Sequence, residues 1–106
     1  MKEINSTTFR QEVTESKLPV LIDFYADWCG PCRMLSPVIE QLAGECDGTF
    51  KIVKANIDQS PDLASAFRIQ SIPTLICLEN GKAKGMSVGL IGKDELERKL
   101  NEWRAS

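Results

Sequence analysis

The segment Val20-Leu21-Ile22-Asp23-Phe24-Tyr25-Ala26, running through Asp27-Trp28-Cys29-Gly30-Pro31-Cys32-Arg33 into Met34, Leu35, Val38, Ile39 and Leu42, decides the fold class. Its first part is a nearly continuous apolar run, the pattern of a strand covered on both faces. One residue breaks that run: Asp23 stands where an apolar side chain belongs. Beyond Trp28 the apolar residues return about every 3.6 positions, which predicts a helix, with Pro37 expected to kink it. Residues 50–57, Phe50-Lys51-Ile52-Val53-Lys54-Ala55-Asn56-Ile57, read as the next strand. A strand, a helix and a strand of these lengths make a βαβ unit, which implies a parallel pair and a right-handed crossover.

Outward from this unit the pattern stays consistent. Ser60-Pro61 offers a cap followed by proline in the first helical turn, predicting a short helix to about Phe67. Residues 74–79 and 83–88 are two strands joined through Asn80-Gly81, a strong hairpin signal, and Gly85 suggests a bulge or a sheet edge. Gly92-Lys93-Asp94 leads into a last helix carrying Leu96, Leu100 and Trp103 on one face, and Ser6 or Thr7 can cap a first helix that aligns Phe9 with Val13. The expected architecture is α/β, a mixed sheet with helices on both sides. No repeat, low-complexity stretch or linker divides the chain, so residues 1–106 are expected to form a single domain.

Composition narrows the chemistry. The 106 residues carry 13 basic and 15 acidic side chains, a net charge of −2, which gives no electrostatic basis for binding nucleic acid or an acidic membrane. There is no histidine, which removes imidazole acid–base catalysis, Ser-His and Cys-His nucleophile pairs and His-ligated metals. The polar start Met1-Lys2-Glu3-Ile4-Asn5-Ser6 does not resemble a signal peptide, and the longest apolar runs are far short of a membrane span. A soluble, cytoplasmic protein is expected. In that compartment four cysteines point to redox or metal chemistry more than to a structural disulfide framework.

The chemistry concentrates in Asp27-Trp28-Cys29-Gly30-Pro31-Cys32-Arg33. Two cysteines three positions apart at a helix start can close a disulfide, and both lie near N-terminal amides whose partial positive charge stabilises a thiolate. Cys29, read as the exposed member, is expected to attack; Cys32, one turn deeper, is expected to resolve the mixed disulfide. Pro31 suits the first helical turn. The competing readings are half of a zinc site and an inert packed pair. Cys46 and Cys77 lie far apart and form no second knuckle, so no metal site is expected.

Taken together, Trp28-Cys29-Gly30-Pro31-Cys32 after a strand, Asn56-Ile57-Asp58 after the next, Ser71-Ile72-Pro73-Thr74 before the hairpin and Val88-Gly89 after it resemble the thioredoxin family. The resemblance runs over nearly the whole chain. It implies a thioredoxin fold, a central mixed sheet of about five strands flanked by about four helices. It further implies a protein-disulfide reductase with no cofactor beyond the redox-active Cys29–Cys32 disulfide. The implied partners are a thioredoxin reductase that restores the dithiol and many disulfide-containing proteins, with the chain acting as a monomer.

By the same resemblance, Asp23 matches a buried carboxylate behind Cys32, where burial would raise its pKa and make it a proton acceptor. The alternative is an aspartate bonded to backbone amides. Lys54 matches the lysine partner of that aspartate, and Pro73 matches a cis-proline lying against the disulfide, against the default of a trans proline opening a strand. Gly30, Pro31, Ile72, Pro73, Gly89 and Leu90 are then implied to form a flat apolar rim around Cys29 for extended substrates, and Trp28, also implied at the substrate site, to shield the disulfide, against the alternative of ordinary packing at a strand end. Tyr25 and Arg33 depart conservatively from the commonest pattern. Cys77 is expected to be a small core residue, and Cys46, near a helix end, is a candidate for oxidative regulation. An oxidase or isomerase, and a binding scaffold, are the competing functions; Gly30-Pro31 puts no cation between the sulfurs, which favours reduction.

Overall fold

A computed structural model describes residues 1–46 and 48–105. Five strands form one mixed sheet in the order β1-β3-β2-β4-β5: β1 Lys2–Glu3, β2 Val20–Tyr25, β3 Lys51–Asn56, β4 Thr74–Glu79 and β5 Lys82–Val88. β2 pairs in parallel with β3, and the helix α1, Gly30–Glu45, crosses between them as the βαβ reading requires. On its other edge β2 pairs antiparallel with β4, and the β4–β5 hairpin closes that side. The hairpin turns through Asn80 and Gly81, both at positive φ, as its Asn-Gly sequence predicts. None of the helices in the described residues is long and apolar enough to cross a membrane.

Alternation along β2 explains why the run is apolar throughout. Leu21 packs on the side of α1 and the last helix, α3 (Lys93–Ala105), with Leu35, Ile39, Leu42, Leu75, Leu96 and Leu100. Val20, Ile22 and Phe24 pack on the opposite face with Val13, Val53 and Leu63, the last from α2 (Pro61–Ala66). Burying each such side chain contributes about 1.5–3 kcal/mol. Two covered faces and a filled central strand make the three-layer architecture expected above.

Several details differ from expectation, each for a local reason. β1 lay in a segment read only as polar; it is two residues long and held at the edge by parallel pairing with Val53 and Lys54, with Ile4 buried behind it. The first helical segment, Arg10–Thr14, is a π-helix with Phe9 at its N-cap position and no side-chain capping bond; neither Ser6 nor Thr7 caps it, and in the turn before it Asn5 Oδ1 accepts from the Thr7 and Thr8 amides at 2.9 and 3.0 Å. Its Glu12 carboxylate is buried but accepts from Lys2 and Lys51 across the sheet edge, and those bonds hold it below the usual carboxylate range. Ser60 takes the cap position of α2 without a side-chain capping bond. α1 continues past Pro37, whose position is exposed, so water can serve the carbonyl that the proline leaves without a donor.

Gly85 meets both readings given to it. It lies on the edge strand β5, beside a register shift in which Cys77 faces Gly85 and Leu78 faces Ala83, with Lys84 as the extra residue of a bulge. It also lies beneath Trp103 of α3, so closely that a Cβ at this position would overlap the indole. Gly85→Ala should therefore displace Trp103 and destabilise the protein by about 1–3 kcal/mol in denaturant titration. Gly44→Ala, on the exposed side of α1 with open space around it, should instead stabilise by about 0.5 kcal/mol.

Candidate active site

The site forms where β2 gives way to α1. Cys29 is the N-cap of α1 in extended conformation, Gly30 and Pro31 open the helix, and Cys32 completes its first turn. This geometry brings the Cα atoms of Cys29 and Cys32 to 5.2 Å, and the two residues are joined by a disulfide. The Cys32 backbone amide donates to Cys29 Sγ at 3.2 Å. That bond and the helix N-terminus both favour negative charge on Cys29 Sγ once the disulfide is reduced.

Cys29 is not the exposed cysteine that its place at the helix start predicts: both cysteines are 5% exposed. Ala26 and Cys32 pack with Cys29, with Ile72 against them, and the Ile72 carbonyl oxygen is 3.8 Å from Cys29 Sγ. The sulfurs differ in their polar surroundings rather than in exposure: Cys29 receives the amide, whereas Cys32 lines a cleft of about 220 Å³ shared with Tyr25, Arg33, Ser36 and Lys54.

The remaining residues singled out in the sequence are distributed as follows. Pro73 follows a cis peptide after Ile72, and its carbonyl accepts from the Gly89 amide at 2.8 Å. Gly89 has φ +94°, a conformation that favours glycine, and hands the chain on to the half-exposed Leu90. Trp28 is neither packed into the interior nor loose. It is 67% exposed, and its Nε1 donates to Asp58 Oδ2 at 2.8 Å. Asp58 is a site residue whose role the sequence reading did not assign, although Asn56-Ile57-Asp58 was part of the resemblance. Its signal is the Asx turn: Asn56 Oδ1 accepts from the amides of Asp58 and Gln59, fixing the loop that holds the indole.

Asp23 faces the same side of β2 as Leu21, toward α1, and lies opposite Lys54 in the parallel register. It is buried, and its Oδ1 has no hydrogen-bond partner, which excludes the reading of an aspartate satisfied by backbone amides at that atom. Burial pushes its carboxyl up to about 6, against the pull of Lys54 and with a contribution from Glu3. Lys54 is half-buried, its Nζ 5.5 Å from the centroid of the Tyr25 ring. Cys77 is a buried core residue on the α1 side, and burial pushes its thiol up to about 11. Cys46 is half-buried; its burial, with Glu45 and Glu97 nearby, raises its pKa and disfavours the thiolate that oxidation requires.

The Asp23 shift makes stability depend on pH. Between the ordinary value of 3.8 and about 6, the folded protein keeps a proton that the unfolded chain has released. Stability therefore falls as pH rises across that window, by about 3 kcal/mol in all. Asp23→Asn removes this titration. The variant should be more stable than the parent above pH 7, by about 1–3 kcal/mol in urea unfolding of the oxidised protein, and the two should converge near pH 4. Equal stabilities at pH 7.5 would contradict the raised carboxyl.

Comparison with known proteins agrees with this geometry. The family model for thioredoxin matches residues 1–102. The chain is 44% identical over 100 residues to Thioredoxin 1 of Nostoc sp., covering 94% of each chain. It is 43% identical over 99 residues to the thioredoxin of Rickettsia felis, covering 93% of this chain and 94% of that one. With the thioredoxin of Porphyra purpurea it shares 42% identity over 103 residues, 97% of this chain and 96% of the other. With its bonded Cys29–Cys32 pair at the start of α1 and a match over nearly its full length, the chain belongs to the thioredoxin family.

Proposed function

We propose that, in the protein-disulfide reduction this family carries out, Cys29 is the attacking thiolate and Cys32 the resolving thiol, with Asp23 taking the proton of Cys32 and Lys54 as the partner of that carboxylate. The enzyme is a thiol–disulfide oxidoreductase with a redox-active disulfide at its centre. Cys29 Sγ attacks one sulfur of a substrate disulfide, forming a mixed disulfide and releasing the other sulfur as a thiolate. Cys32 then loses its proton to Asp23 and attacks Cys29 Sγ, displacing the substrate sulfur as a thiolate. A Cys29–Cys32 bond forms, the Cys29–substrate bond breaks, and the substrate leaves with both sulfurs reduced.

The amide of Cys32 directed at Cys29 Sγ carries the assignment of roles, because it stabilises one thiolate of the two. The unpartnered Asp23 Oδ1 supports the proton-acceptor role, since a buried carboxyl with a raised pKa can take a proton near neutral pH. Substrate would lie along Trp28, Gly30, Pro31, Ile72, Pro73, Gly89 and Leu90, an apolar rim in which backbone pairing supplies register and side chains select little. The same reading includes a thioredoxin reductase that returns electrons to the disulfide, various disulfide-bearing protein substrates, a single-domain monomer over residues 1–106, and a cytoplasmic location.

Cys32→Ser should accumulate a covalent adduct with a disulfide-bonded test protein, linked through Cys29 and released by dithiothreitol. Cys29→Ser should give no adduct, and both variants should lose turnover. Mass spectrometry of the non-reduced mixture decides the assignment: adducts linked through Cys32 in the Cys29→Ser variant, with none in Cys32→Ser, would reverse it.

A further inference from the structure

The register of the sheet sets three charged side chains in one row. Glu3 on β1 lies opposite Lys54 on β3, and Lys54 lies opposite Asp23 on β2. The signs run negative, positive, negative. On β4 the residue opposite Asp23 is Leu75, which adds no charge. Among the groups of the adjoining cleft, Arg33 donates from Nη1 to the Asp27 carbonyl at 2.7 Å and is thereby directed to the loop before α1. Lys54 thus stands in register between two acidic residues, one on each neighbouring strand.

Glu3 is fixed more firmly than an edge-strand side chain requires. Tyr25 Oη donates to its Oε1 at 2.5 Å, and the Asn56 amide donates to its Oε2 at 3.0 Å. Tyr25 and Asn56 are themselves opposite each other across β2 and β3, so a single carboxylate bridges both sides of that rung. The Tyr25 ring, held in this way, carries the Lys54 ammonium near its face and lines the cleft together with Cys32. None of this chemistry is needed to hold β1, whose two residues are already paired with β3.

We propose that Glu3 is a positioning residue for the resolving step: by fixing Tyr25, whose ring lies near the Lys54 ammonium, and by setting a second negative charge in the row, it offsets the pull of Lys54 on Asp23 and keeps the Asp23 carboxylate a competent acceptor for the Cys32 proton. A lysine paired with Asp23 alone would stabilise the charged carboxylate and make it a poorer base. A second carboxylate in the row opposes that effect: the negative charge of Glu3 raises the Asp23 carboxyl. The inference rests on the reading of Asp23 as proton acceptor.

The test is the titration midpoint of the Asp23 carboxyl carbon, followed by NMR in the oxidised protein, together with the pH profile of single-turnover disulfide reduction. Glu3→Gln keeps the shape and one acceptor oxygen while removing the charge. It should lower the Asp23 midpoint by about half a pH unit, and the profile should move with it. Tyr25→Phe should shift the midpoint in the same direction by less, and the double variant no further than Glu3→Gln. Glu15→Gln, whose carboxylate pairs with Arg10, should leave the midpoint in place. An unmoved midpoint in both Glu3→Gln and Tyr25→Phe overturns the role of Glu3, while a profile altered by Asp23→Asn still upholds Asp23 itself. A profile unchanged by Asp23→Asn overturns both.

Discussion

β2 is hydrogen-bonded along both edges, to β3 in one sense and to β4 in the other, and both of its faces are covered. Everything chemical in the molecule hangs from this constraint. A strand so enclosed cannot shift register without turning its buried set outward, so the point at which it ends is fixed in space. α1 starts there, and its first turn holds both sulfurs. The same enclosure deprives Asp23 of water, which is why a residue that costs stability on this strand also has a carboxyl poised near neutrality.

Around that strand the two cysteines acquire different characters without different exposure. Cys29 sits outside the helix and receives an amide; Cys32 sits inside it and looks into the cleft that Lys54 and Tyr25 also line. The distinction is electrostatic and comes from backbone geometry, so no flanking cation or histidine is needed to produce it. A cis-proline loop and a glycine at positive φ, joined by one backbone hydrogen bond, bring the Ile72 and Leu90 segments alongside.

Much of this was legible in the sequence because local and global signals agreed. The 3.6-residue spacing after Trp28, the Asn80-Gly81 turn and the interrupted apolar run around Asp23 each required one structure, and the fold supplies it. What escaped the reading depended on contacts distant along the chain. Lys2 and Glu3 carry no strand signal of their own; β3 makes them a strand. The cover over Cys29 comes from Ile72, more than forty residues away. Neither Ser6 nor Thr7 caps the first helical segment, because the side-chain oxygen that serves the amides of the turn before it is that of Asn5. Asp58 was visible as part of a motif, but its bond to Trp28 crosses from one loop to another and has no periodicity to announce it.

The bulge on β5 has a consequence for solubility in the company of other chains. An outer strand with a straight, unbroken ladder is a template on which unfolded polypeptides can grow further strands. Here the extra residue Lys84 distorts the outer strand at its middle, and Lys82 puts a charge near its start, while the opposite margin of the sheet is only two residues long. Neither margin offers the run of regular backbone that cross-chain pairing needs. Both margins of the sheet are thus built to discourage growth of further strands from other chains.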